Sequence, residues 1–182
     1  MDDLVRQAMA KWPNVPDCYG WLGLDSRGQW FMRDDRAQSL GSFQCGQKGA
    51  RGSVLRHDKL IAFIGRNYES DDTGRWYFQN GPQRVYVELD CAPLIWRLNT
   101  DGSVTAHTGE QGHVLQCMTD EEGRLFMQTS AGFGLLHSLD VAEAAEWIER
   151  GQWPLEESSF ESLVARFAYV LSPQKQVTGS MP

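Results

Sequence analysis

This chain has no two cysteines spaced for a metal knuckle, no histidine pair at helical spacing and no apolar run long enough to cross a bilayer. Each absence removes a class of function. The four cysteines, at 18, 45, 91 and 117, stand 27, 46 and 26 residues apart, so no Cys-x-x-Cys pair exists to hold zinc, and free, buried thiols are predicted. Histidines 57, 107, 113 and 137 form no His-Glu-x-x-His motif, and neither a metal nor a cofactor is predicted. Without about 20 consecutive apolar residues there is no membrane-spanning helix. The opening Met1-Asp2-Asp3-Leu4-Val5-Arg6-Gln7 lacks the basic leader and apolar core of a secretory signal, which predicts a cytoplasmic protein.

Catalytic signatures are missing as well. There is no Gly-x-Ser-x-Gly elbow, and Gly46-Gln47-Lys48-Gly49-Ala50-Arg51-Gly52 only superficially suggests a phosphate cradle. A P-loop needs Gly-Lys-Ser/Thr running from a strand into a helix, and that order is absent. No catalytic residue is predicted. Basic charge is scarce in the second part of the chain. Residues 1 to 100 hold 13 Lys and Arg against 12 Asp and Glu, residues 101 to 182 hold 4 against 12, and the net charge is -7. Such a surface repels anionic membranes and disfavours nucleic acid as a partner, except at a local patch such as Lys48, Arg51, Arg56, Lys59 and Arg66. A small molecule, another protein or a second copy of the chain remain as candidate partners.

What is abundant is turn chemistry and tryptophan. Asp or Asn, two residues, Gly, one residue and a large apolar side chain recur at Asp25–Trp30, Asp71–Trp76, Asn99–Val104 and Asp120–Leu125. The first side chain can accept from backbone two residues on, and the glycine can take the left-handed conformation that closes a short hairpin. Four β-hairpins are predicted. The copies lie 46, 28 and 21 residues apart, too unevenly for a propeller or solenoid. The seven tryptophans suit pleated, half-buried surfaces.

The fold predicted is β-rich α+β. It comprises an antiparallel meander, curled into a partial barrel or split into two sheets, with a short N-terminal helix over 3–11 and two C-terminal helices. At 182 residues a single domain over 1–173 is expected, with 174–182 as a tail. Residues 34–52 read as a long loop, and 57–68 as a helix that Asp58 can cap. The helix over 140–150 carries a capping box at Asp140 and Glu143, and the helix over 158–171 another at Ser158 and Glu161.

The most unusual stretch runs from Phe63 to Val87, with Arg66-Asn67-Tyr68, the second turn, and Gln79-Asn80-Gly81-Pro82-Gln83-Arg84. Together with Tyr19-Gly20-Trp21-Leu22-Gly23-Leu24-Asp25 and His107-Thr108-Gly109 it resembles an uncharacterised proteobacterial family of unknown function. The resemblance covers about residues 18 to 140 and rests on the long block; it implies a bacterial protein and carries over no catalytic residue. Read physically, Arg66, Asn67, Tyr68, Gln79, Asn80, Gln83 and Arg84 could form a polar binding pocket, with His107 added in an enzyme or sensor. The other reading makes them ties between loops and backbone. A non-enzymatic binding or interaction module is the first expectation, and a small-molecule sensor or enzyme the alternative.

Overall fold

The computed structural model describes residues 1–178. In chain order the elements are α1 (Asp3–Lys11), β1 (Cys18–Leu24), β2 (Trp30–Met32), α2 (Asp35–Ser39), β3 (Ser53–Val54), α3 (Asp58–Arg66), β4 (Tyr68–Ser70), β5 (Trp76–Asn80) and β6 (Gln83–Leu89). They continue as β7 (Ile95–Leu98), β8 (Ser103–Ala106), β9 (Gln111–Thr119), β10 (Leu125–Thr129), β11 (Gly132–Leu136), α4 (Val141–Glu149), β12 (Leu155–Glu157), α5 (Phe160–Arg166) and α6 (Pro173–Thr178). The β-rich α+β class is therefore as predicted, and the strands fall into two sheets. The backbone groups into two compact units. The first holds residues 1–25, 29–90 and 169–182; the second holds 26–28 and 91–168.

All four predicted turns close hairpins: β1 to β2, β4 to β5, β7 to β8 and β9 to β10. The mechanism is the local one. Asp71 Oδ1 accepts from the backbone N–H of Thr73 and Arg75, and Asp120 Oδ1 from those of Glu122 and Arg124. The turn glycines 28, 74, 102 and 123 have φ between 73° and 81°, which a Cβ would strain.

In the first unit the sheet order is β3-β2-β1-β6-β5-β4, antiparallel except for the parallel pair β1–β6. One face buries Leu24, Trp30, Tyr68 and Phe78. The Trp30 and Tyr68 rings meet edge to face at 5.2 Å, and Phe63 of α3 meets Phe78 of β5 the same way at 5.4 Å. Strand β1 carries a bulge at Gly20, whose φ is 78°. A Cβ there would lie 2.5 Å from the movable amide end of the Gln174 side chain of α6, so it is the positive φ that calls for glycine.

In the second unit the ladder runs β10-β11-β7-β8-β9 and returns to β10 through the β9–β10 pairing, a five-strand partial barrel. β12 joins β9 in parallel, and β11 joins β7 in parallel. The core holds Ile95, Trp96, Val104, Phe126 and Met127. Phe167, just past α5, stacks on Phe133 of β11 at 3.8 Å.

Several local expectations need correction. The polar stretch 34–52 is not all loop: α2 forms there, because Asp34 accepts from Ala37 N–H as an N-cap. His57, not Asp58, caps α3, its Nδ1 accepting from Leu60 N–H. Asp140 makes no side-chain cap bond to α4; its carboxylate is taken by Arg97 and the Leu98 N–H. The cap of α5 is Ser159, one residue after the Ser158 predicted. The second predicted helix stops at Arg166, since Ala168 takes a left-handed φ of 50°, and residues 170 and 171 then bond to the backbone of Gly74 and Leu89. The expected tail begins with α6, and residues 179–182 lie outside the described residues.

Candidate functional site

Polar residues predicted to converge near the second turn are spent on the scaffold. Arg66 reaches back to the N-terminal segment, its Nε and Nη2 each donating to the Asp2 carboxylate at 3.2 Å. Asn67 is buried and completes the same tie, with its Nδ2 donating to Phe63 O and its Oδ1 accepting from Asp2 N–H. Hydrogen bonds from Arg66 and Asn67 outweigh partial burial and hold the Asp2 carboxyl below its usual range. Gln79 donates to Gly81 O across its own turn, and Gln83 donates to Pro16 O. The Arg84 guanidinium lies over the Tyr77 ring at 4.7 Å, and Tyr68 is a buried core ring. Only Asn80 of the predicted set lines a cavity among those described.

The second turn itself is a closed structural cluster. Tyr86 donates to Asp71 Oδ2 at 3.0 Å, stacks on Tyr19 at 4.6 Å, and carries the Arg75 guanidinium over its ring at 4.7 Å. Burial pushes the Tyr86 hydroxyl up to about 12, which keeps it a donor. Burial also raises the Asp71 carboxyl, but bonds from Thr73 and Arg75 win and hold it well below the usual carboxylate range. His107 belongs to the second unit, not to the unit of Arg66 and Arg84. Burial drives it down to about 3, so it is neutral, and its Nδ1 accepts from Ile95 N–H.

A second buried polar cluster serves α6. Arg33, with no exposed surface, donates to the carbonyls of Gly20, Gly41 and Ala50. Glu88 accepts from the Ser172 hydroxyl and from the Gln174 N–H at the start of α6. Burial raises the Glu88 carboxyl despite those bonds and the nearby Arg33 charge. Every described group there has a partner role in holding the chain down.

An apolar cleft of about 230 Å³ opens outward on the first unit. One wall is α3, with Leu60 and Ile64; the other is the sheet, with Leu22 of β1, Met32 of β2, Phe78 of β5 and Val85 of β6. Helix α3 packs on β5, and at the β1–β2 side of the cleft Leu22 is buried while Trp21 and Met32 are not. The bulge at Gly20 lets both Trp21 and Leu22 line the cleft although they are adjacent in the strand. Trp21 is 43% exposed and Met32 52%, so large apolar groups face solvent at its mouth. Burial pushes the Cys18 thiol up, so it contributes an apolar wall rather than a nucleophilic thiolate. These residues were not predicted from sequence. The signal present was the adjacent pair Trp21-Leu22 directly after Gly20, a glycine inside a strand being the usual mark of a bulge that can turn two neighbouring side chains to one side.

Among the described residues no group of three or more His, Cys, Asp or Glu could hold a metal ion, and no helix is long and apolar enough to cross a membrane. No curated protein matches the chain. Two solved structures are similar to it, both DUF1285 family proteins. The one from Shewanella baltica OS155 is 14% identical, with a TM-score of 0.45, covering 69% of this chain and 91% of that one. The one from Silicibacter pomeroyi DSS-3 is 13% identical, with a TM-score of 0.47, covering 79% of this chain and 83% of that one. The DUF2944 family model, described as "Protein of unknown function (DUF2946)", matches residues 1–177, and the chain belongs to that family.

Proposed function

We propose that this protein is a non-enzymatic interaction module of the bacterial cytoplasm, and that the apolar cleft of its first unit is the binding site. The carrying observation is the exposure of Trp21 and Met32 at the mouth of a cleft whose remaining walls, Asn80 apart, are apolar. Solvent-facing groups of that size at one place are characteristic of surfaces that become covered. The alternative, a polar pocket for a sensor or enzyme, has less support because Arg66, Asn67, Gln79, Gln83 and Arg84 are each engaged by neighbouring scaffold. Four free thiols, two of them buried, suit the reducing cytoplasm.

A small aromatic probe tests the site without knowledge of the partner. Indole at ten times its Kd is expected to stabilise the native protein by about 1.4 kcal/mol, read as a rise in melting temperature. Met32→Glu, at an exposed position, is expected to abolish that rise while leaving the circular dichroism spectrum unchanged. An unchanged rise in the variant would move the binding site elsewhere.

A further inference from the structure

The cations of the first unit are unevenly committed. Arg6, Arg51, Arg66 and Arg75 pair with carboxylates, Arg33 is buried among carbonyls, and Arg84 and Lys11 lie over aromatic rings. Among the described residues no carboxylate pairs with Arg36, Lys48, Arg56 or Lys59, and all four fall within one short part of the sequence. Two of them adjoin the cleft. Arg56 follows the lining residue Leu55, Lys59 precedes the lining residue Leu60, and both are exposed. An apolar slot therefore stands beside a segment in which the exposed cations Arg56 and Lys59 outnumber its one carboxylate, Asp58, on a chain of net charge -7.

Resting on the cleft as the binding site, we propose that its occupant is an acidic protein segment that seats one bulky apolar side chain in the cleft and sets its carboxylates toward Arg56 and Lys59. Size favours a side chain over a free metabolite: about 230 Å³ lies below the roughly 300 to 1,000 Å³ of small-molecule sites. A pocket filled by one large anchor is how protein partners concentrate their binding energy. Charges at the rim mainly steer encounter and select the partner, so their effect weakens with salt. Nucleic acid is a poorer fit. It needs several phosphate contacts, and Arg51 and Arg66 of the basic segment are already bound to Asp90 and Asp2.

The test is selection of random twelve-residue peptides displayed on phage against the full chain, followed by fluorescence anisotropy of the winners on the native protein and two variants. Selected peptides are expected to carry a large apolar residue flanked by Asp or Glu, to lose binding to Met32→Glu, and to bind the double variant Arg56→Glu, Lys59→Glu about tenfold more weakly at low salt. Circular dichroism and melting temperature check that both variants fold. Peptides that need Met32 but show no acidic bias and ignore the charge reversal overturn the acidic partner and leave the cleft standing. Failure to select any peptide that depends on Met32 overturns the cleft itself. A single-stranded DNA oligonucleotide binding the native protein and Met32→Glu equally, and losing affinity only on charge reversal, would assign the cations to a polyanion instead.

Discussion

Single residues here show how burial decides chemistry. His107 carries a side chain that often serves as a general base, yet burial holds it neutral down to about pH 3. Its folded pKa is depressed below the ordinary 6.5, so the unfolded chain binds the extra proton first. The sign follows: His107 destabilises the native state as pH falls from about 6.5 toward 3, at up to about 1.4 kcal/mol per pH unit. Denaturant melts of the native protein and of His107→Gln, taken across that window, should converge as pH falls; parallel curves would contradict the assignment. Glu88 has the opposite sign. Its raised carboxyl contributes stability that is complete below its unfolded pKa and lost as pH rises through the folded one. Gly20→Ala is expected to destabilise by about 1 kcal/mol, because the left-handed backbone opposes a Cβ.

Elements divide into those written locally and those decided at a distance. The bond between Asp140 and Arg97 spans 43 residues and joins the start of α4 to β7 through a bidentate pair and the Leu98 N–H. Replacing Asp140 by Ala is expected to cost about 1–3 kcal/mol in chemical denaturation. Asp140→Ser should cost as much, whereas a plain helix cap would accept Ser without loss. At α6, Glu88→Gln should speed hydrogen exchange of the Gln174 N–H, since the carboxylate that receives it loses its charge; unchanged exchange would remove Glu88 from that role.

The same division explains what could be read in advance. Hairpins were legible because Asp71 or Asp120 and a glycine three residues on act within one turn. The helices over 3–11 and 58–66 were legible from spacing. The parallel pair β1–β6 was not, because Cys18 finds Val85 only through the whole intervening chain. The Asp140 cap was lost for the same reason: a distant arginine outcompeted the helix for its carboxylate. Of the candidate site, Asn80 alone was foreseen, since Trp21, Met32, Leu60 and Val85 each look like ordinary core residues until the fold shows which are uncovered.

At the scale of the whole molecule, the chain is a β-rich member of a family of unknown function, built as two compact units with separate sheets. Its conspicuous polar residues bond to or pack on neighbouring scaffold, and its conspicuous apolar ones are not all buried. Met32 and Trp21 remain at the surface beside a helix that also supplies Leu60 and the exposed Lys59. That combination makes the cleft, rather than the second turn, the centre of the functional account. The most direct measurement is a methyl and indole NMR titration of the intact protein with an acidic peptide carrying one tryptophan. The account predicts shifts concentrated at the Met32 and Leu60 methyls and the Trp21 indole N–H; shifts spread over the second unit, or absent from those three, would contradict it.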